Sequence, residues 1–254
     1  MATYKHGIYV SEKATSLVAP ITGTAGLQVI VGTAPVNMAA DPSESVNVPF
    51  LCNNYAEAVK AVGYCDDFDN YTLCQSIYAN FNLESVGPVI LINVLDPSRH
   101  KTDVPASDMT VTNGQVSVYA ISGSEKQYIF GVIPSSVIVK AAGGTGSAYI
   151  QDTDYTLGFN DAGYCIITPI STVCKAATSL SIAYSKLDPS AVTQSDIIGT
   201  VNATTGKETG LQLIREIYPL FGLTPGLIVA PGWSHIPEVA AVMQAKCESI
   251  DGCF

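Results

Sequence analysis

Two short, almost purely apolar runs constrain the fold of this chain more than any other feature. Residues 27–32 read Leu-Gln-Val-Ile-Val-Gly, and residues 89–95 read Val-Ile-Leu-Ile-Asn-Val-Leu. Runs of this length and composition are typical of strands that are covered on both faces of a sheet. Helical patterns lie between them, and the order strand, helix, helix, strand indicates an α/β organisation.

The two helices between these strands are predicted from caps and apolar spacing. One covers residues 55–62, with Asn53 or Asn54 as its cap and Gly63 as its stop. The other covers residues 71–83, where apolar side chains recur at the spacing of one helix face.

The same alternation returns near the end of the chain. A helix is predicted over residues 207–218 and a short buried strand over residues 227–230. Pro237 suits the first position of a last helix, with Ser234 or His235 near its cap. The second part of an α/β core is therefore expected here.

Between these two parts, the chain reads as short β-prone pieces separated by turn signals. The predicted strands cover residues 109–112, 116–121, 137–140, 155–159, 164–167 and 180–184. The clearest turn is Asn-Asp-Ala-Gly at residues 160–163, which suits a short hairpin connection. An all-β domain inserted into the core is the simplest interpretation.

The predicted fold class is therefore an α/β (α+β) core with an inserted all-β domain and an extended N-terminal arm. The predicted divisions are an arm over residues 1–20, a first part of the core over 21–100, an insertion over 101–187, and a second part of the core over 188–254. The arm contains a β-prone stretch at residues 4–11 and precedes small and polar residues.

Composition excludes several classes of protein. The chain carries 12 basic and 22 acidic residues, and no run of basic residues that could follow a phosphate backbone. With 47% hydrophobic and 13% charged residues, it is too apolar and too weakly charged for intrinsic disorder. No apolar stretch reaches the roughly 20 residues of a membrane-spanning helix. So little charge suggests a surface partly buried against other chains.

Sequence patterns for catalysis, metals and cofactors are incomplete. Gly206 and Lys207 resemble part of a phosphate-binding loop, but Glu208 stands where that loop needs Ser or Thr. Ser234 resembles a hydrolase nucleophile, but Ile236 stands where the motif needs a second Gly. The three His are isolated, and the seven Cys lack close ligand pairs. We therefore predict no catalytic, metal or cofactor-binding residues, and reduced, partly buried thiols.

Four stretches of the sequence resemble the tail sheath proteins of contractile bacteriophage tails and phage-tail-like bacteriocins. They are the opening His-Gly-Ile-Tyr-Val-Ser-Glu at residues 6–12, the strand end at 31–35, residues 87–96, and the long run at 196–235. The motif residues carried by the resemblance are Gly32, Pro35, Gly206, Lys207, Pro231, Gly232, Trp233, Ser234 and His235. The last stretch is the most specific of the four.

The resemblance implies a structural protein without catalysis. Such subunits polymerise around an inner tube on a baseplate and contract to drive the tube through a cell envelope. The expected partners are other copies of the chain, the tail tube protein and the baseplate, with no nucleic acid and no membrane insertion. The expected location is the virion tail, or a phage-tail-like particle, after assembly in the host cytoplasm.

The arm has a defined role in this resemblance. Subunits of the family are linked by terminal arms that add a strand to a neighbour's sheet. The expected arm residues are Tyr4, His6, Gly7, Ile8, Tyr9 and Val10. Members of the family continue past the position of Phe254, so we expect this chain to be truncated at its C-terminus.

Two alternatives from other classes stay open on the sequence. The chain could be a small α/β hydrolase-like enzyme that uses Ser234. It could also be a monomeric binding module carried by the predicted insertion at residues 101–187.

Overall fold

A computed structural model describes residues 26–122, 125–160 and 162–250. The predicted arm residues Tyr4, His6, Gly7, Ile8, Tyr9 and Val10 lie outside these ranges, so the arm stays a prediction. The division of the chain into domains also stays a prediction.

The first part of the chain forms three strands and two helices before residue 100. In order they are β1 (Gln28–Gly32), β2 (Pro49–Cys52), α1 (Tyr55–Val62), α2 (Thr72–Ile77) and β3 (Val89–Asn93). The predicted helix over residues 55–62 is confirmed. The Asn54 side chain accepts a hydrogen bond from the Glu57 amide at 3.0 Å, and Gly63 ends the helix at a φ of +80°.

The helix predicted over residues 71–83 is confirmed over residues 72–83, but its second half is not an α-helix. After α2 the backbone widens into a π-helix over Tyr78–Leu83. Asn80 within it donates from Nδ2 to the Ser76 carbonyl oxygen at 2.9 Å and accepts from Gln28 Nε2 at 3.1 Å. The π-helix is thereby tied to the first residue of β1.

Residues 101–187 fold mostly as antiparallel strands. In order the elements are β4 (Lys101–Thr110), β5 (Val116–Ser117), β6 (Tyr119–Ser122), β7 (Glu125–Tyr128), β8 (Ile138–Ala141), β9 (Tyr155–Phe159), β10 (Cys165–Pro169), the short helix α3 (Thr172–Lys175) and β11 (Ser179–Leu187). They form three sheets in the orders β5-β10-β9, β4-β11-β8 and β6-β7. A second hydrophobic cluster fills this β-rich region.

The last part contains α4 (Gln194–Ile198), α5 (Ile217–Phe221), β12 (Leu227–Val229) and α6 (Pro237–Ile250). The helix predicted over residues 207–218 is wrong at its start. Residues 200–209 instead form a narrow hairpin closed by the pairing of Val201 with Glu208. Helical turns begin only at Gly210, whose φ of +56° suits glycine and marks the change of direction.

One four-stranded sheet, in the order β12-β1-β3-β2, joins the first and last parts of the chain. β12, β1 and β3 are parallel, and β2 pairs antiparallel with β3. All five residues of β3 are buried, as expected for a strand with both faces covered. The sheet shares the larger hydrophobic cluster with α1, α2, α4, α5 and α6. In the ranges given above, no helix is long and apolar enough to cross a membrane.

Candidate assembly surface

The outer edge of β2 is one candidate site for assembly. Within the described ranges, β2 pairs only with β3, so one side of its backbone lacks a neighbouring strand. Pro49 opens the strand, and proline is tolerated in sheets mainly at edges and strand starts. An open edge of this kind is a template for pairing with another chain.

A groove runs beside this edge, between β2 and α1. Its volume is about 300 Å³, and its apolar lining includes Phe50, Leu51 and Ala61. The charged residues in its lining are Asp41, Glu44, Glu57 and Lys60. An added strand at β2 could therefore place alternate side chains in an apolar groove with a mainly acidic rim.

The opposite edge of the sheet is formed by β12. Among the strands that the structure describes, β12 pairs only with β1, and just three residues take part. The amide of Gly226 also donates to the Leu27 carbonyl oxygen at 3.0 Å. β12 offers a shorter open edge than β2.

The motif residues Gly32, Gly232 and Trp233 lie together at the carboxyl ends of β1 and β12. A Cβ on Gly32 would lie 2.5 Å from Thr72 Oγ1, and one on Gly232 would lie 3.3 Å from Thr72 Cγ2. Trp233 is half-buried and packs against the main hydrophobic cluster. Gly32 is therefore explained by the close packing of the start of α2, and Gly232 also by its φ of +78°.

Two threonines hold α2 in this position. The Thr33 amide donates to Thr72 Oγ1 at 3.2 Å, and the Thr72 amide donates to Thr33 Oγ1 at 3.1 Å. Thr33 Oγ1 also donates to the Asn70 carbonyl oxygen at 2.9 Å. This exchange satisfies amides at the start of α2 that have no partner within the helix.

Pro35 has a structural role at the end of β1. Its carbonyl oxygen accepts a hydrogen bond from the Met38 amide at 2.9 Å. A Cβ on Gly63 would lie only 2.2 Å from the same oxygen. The backbones of Pro35 and of Gly63, which ends α1, are therefore in close contact.

Gly206 and Lys207 lie at the tip of the hairpin over residues 200–209. Both are exposed, and Gly206 has a φ of +71°. Thr204 and Thr205 donate their amides to Asn202 Oδ1 at 2.9 and 3.0 Å. Because these amides donate hydrogen bonds within the turn, they are not available to bind a phosphate group.

The neighbouring carboxylate anchors this hairpin. Glu208 is buried, with 1% of its side chain exposed, and it forms an ion pair with Arg215. Breaking such a pair from one side leaves a buried charge without compensation, which is strongly destabilising. In the sequence, Glu208 shows only as a departure from the phosphate-binding loop, and its role as an anchor depends on a contact with Arg215 that sequence patterns do not reveal.

Ser234 and His235 are exposed in the turn before α6. The start of α6 at Pro237 is confirmed, but this places Ile236, not Ser234 or His235, at the cap position. The Ser234 and Trp233 amides both donate to the Ala230 carbonyl oxygen at 3.0 Å. The pair thus forms part of a tight turn.

Asn93 is a second buried polar residue that the sequence analysis did not single out. Its Oδ1 accepts from the Ala34 and Leu95 amides at 3.1 and 3.0 Å, and its Nδ2 donates to the Ala34 carbonyl oxygen at 3.1 Å. An asparagine inside an otherwise apolar run was the available signal. It fixes the loop after β1 against the end of β3.

A polar network connects the entry and exit of the β-rich region. Arg99 Nη1 lies 3.1 Å from Asp196 Oδ1, and His100 Nε2 lies 3.6 Å from Asp196 Oδ2. The Asp188 amide donates to the His100 carbonyl oxygen at 2.9 Å. Burial opposes ionisation of Asp196, but hydrogen bonds from Thr193 and the charges of His100 and Arg99 hold its pKa below the usual 3.8.

The six described cysteines are buried, and none forms a disulfide within the described ranges. Burial raises the pKa of Cys52 and of Cys165 to about 12, so neither thiol is ionised near neutral pH. In the part of the chain that the structure covers, no group of three or more His, Cys, Asp or Glu side chains is placed to hold a metal ion.

Comparison with known proteins identifies a curated relative. No family model matches the chain. A tail sheath protein of Burkholderia phage BcepMu is 28% identical over 246 residues, which is 96% of this chain. The chain spans about half of that relative, namely 46% of its length.

This match bears on the resemblance drawn from the four sequence stretches. It extends over almost the whole chain, including the β-rich region that contributed least to the resemblance. The match favours neither the hydrolase nor the monomeric binding module. The predicted resemblance is therefore confirmed: along nearly its whole length, this chain is similar to a phage tail sheath protein.

Proposed function

We propose that this chain is a structural subunit of a contractile tail sheath in a phage or phage-tail-like particle. The observation that carries the proposal is its similarity to a tail sheath protein over 96% of its length. In this function the chain assembles with copies of itself around a tail tube on a baseplate. Contraction of the assembled sheath drives the tube through a cell envelope.

The β2 edge is the proposed point of attachment between copies. Residues 4–11 of one subunit add a strand beside β2 of another, and Ile8 and Val10 enter the groove lined by Phe50 and Leu51. Lys5 meets the mainly acidic rim of the groove. The open edge and its apolar groove support this assignment.

Main-chain pairing suits a lattice that changes shape. Each backbone hydrogen bond contributes about 0.5–1.5 kcal/mol net, and each buried Ile or Val adds roughly 1.5–3 kcal/mol. A strand formed from residues 4–11 provides several such bonds. Main-chain pairing at a sheet edge can survive rigid-body rotation of the domains that it links, so subunits can move without losing their connection.

Deletion of residues 2–15 tests this attachment. We expect the variant to unfold in urea at the same midpoint as the full chain but to form no polymers in sedimentation and electron microscopy. A variant with residues 2–15 in scrambled order controls for length and composition and should also fail to polymerise. Polymers of normal yield from either variant would contradict the proposed attachment.

A further inference from the structure

An exposed apolar surface surrounds the π-helix over Tyr78–Leu83. None of the residues of this helix is buried. Leu83 is 61% exposed, Val86 43% and Tyr78 36%. We call these three side chains the π-helix patch. An apolar helix surface of this kind is normally covered by another element.

The patch lies next to the point where the N-terminal residues join the sheet. The Val86 amide donates to the Asn80 carbonyl oxygen at 2.7 Å. The Asn80 side chain in turn accepts from Gln28 Nε2 at 3.1 Å, and Gln28 is the first residue of β1. A segment that precedes β1 therefore starts beside the patch.

The residues before β1 contain one segment of matching chemistry. Residues 17–21 read Leu-Val-Ala-Pro-Ile and carry no charge, whereas Lys5, Glu12 and Lys13 lie further from the sheet. Residues 22–27 separate this segment from β1 and can span up to about 20 Å when extended.

We propose that residues 17–21 cover the π-helix patch of their own chain. The short connection through residues 22–27 makes this an intramolecular contact, with a far higher effective concentration than a contact from a second copy. The N-terminal segment then has two parts: residues 17–21 are fixed on their own subunit, and residues 4–11 can reach a neighbour. Residues 17–21 set the direction in which residues 4–11 leave the subunit.

This inference extends the proposed function but is independent of polymerisation. It concerns a contact inside one chain, so it can be measured on the monomer. It also predicts that deletion of residues 2–15 leaves the contact intact, because residues 17–21 remain.

Amide hydrogen exchange of the full chain, at a concentration where it is monomeric, tests the contact. We expect amides in residues 17–23 to exchange about tenfold or more slowly than those in residues 4–11. Leu83→Asp combined with Val86→Asp should remove this protection. Val173→Asp is the matched control, since Val173 is 67% exposed in the β-rich region, and it should leave the protection unchanged.

A second variant tests the same contact by changing the N-terminal segment instead of the π-helix patch. Leu17→Asp combined with Ile21→Asp alters residues outside the described ranges and should also remove the protection, while the urea midpoint of the core stays unchanged. Equal exchange in residues 4–11 and 17–23 of the wild-type chain would overturn the inference. So would protection that survives the patch variant, or protection that disappears on dilution, which would indicate a second copy as the occupant.

Discussion

β3 and β4 show how differently the two regions of this molecule use a strand. Every residue of β3 is buried between β1 and β2, whereas in the ten-residue β4 only Met109 is buried. β4 is held by its backbone pairing with β11, so its side chains are free to face solvent. Packing therefore constrains the sequence of the core strand, and main-chain pairing alone suffices for the outer one.

The same contrast applies to the residues of the family motifs. Gly32, Pro35, Gly232 and Trp233 lie in or against the main sheet, where close packing determines which residue fits. The β-rich region holds none of the motif residues. Changes of equal size should therefore have very different consequences in the two regions.

Two glycines with the same backbone conformation give the largest expected difference. Gly199 and Gly143 have φ values of +70° and +72°, but a Cβ on Gly199 would lie 1.7 Å from the Thr209 carbonyl oxygen, and one on Gly143 would meet open space. Gly143→Ala should cost only the roughly 1–2 kcal/mol of left-handed backbone. Gly199→Ala should cost about 4 kcal/mol or more, measured by urea unfolding. Similar costs would show that the core relaxes as easily as the β-rich region.

Loss of buried hydrogen bonds should have the next largest effect. Asn93→Ala removes the partner of the Ala34 and Leu95 amides and of the Ala34 carbonyl oxygen. We expect the free energy of unfolding to fall by about 3 kcal/mol, because buried backbone groups are left unpaired.

Gln115→Ala is the matched control for Asn93→Ala. Gln115 is exposed in the β-rich region and donates from Nε2 to Thr168 Oγ1 at 3.2 Å. Its removal should change stability by less than about 0.5 kcal/mol. An equal loss in both variants would mean that burial does not separate the two regions.

The smallest expected effect concerns the junction between the regions. The pKa of Asp196 in the folded chain lies below its usual value of 3.8, so its stabilising contribution is present above that pH and is lost as the pH falls through the folded-state pKa. Asp196→Asn should lower stability at pH 7 by about 1 kcal/mol and flatten the loss of stability in acid. Thermal unfolding between pH 2 and 7 measures this. If Asp196→Asn leaves the change of unfolding temperature with pH unaltered, the loss of stability in acid comes from other carboxylates.

Part of the fold could be predicted from the sequence because local signals agreed with packing. The helix over Tyr55–Val62 has an asparagine cap and a glycine stop, and the buried strands at β1 and β3 are continuous apolar runs. β2 was missed because its four residues carry no alternation of their own. The start of β4 was missed because its side chains are polar and exposed.

The candidate site was less predictable for a related reason. The hairpin over residues 200–209 depends on pairing between Val201 and Glu208, and apolar spacing alone suggested a helix there. The motif glycines could be recognised by resemblance, but the Thr72 side chain that they pack against lies 40 or more residues away in sequence. An open sheet edge is a property of strand order, which the strand patterns did not specify.

Electron microscopy of the full chain, expressed together with a candidate tail tube protein, tests the central claim most directly. If the chain is a sheath subunit, it should form rings or helical tubes around the inner tube, and sedimentation should show the same assemblies. A chain that remains monomeric in the presence of assembled tubes, by both methods, would contradict the account.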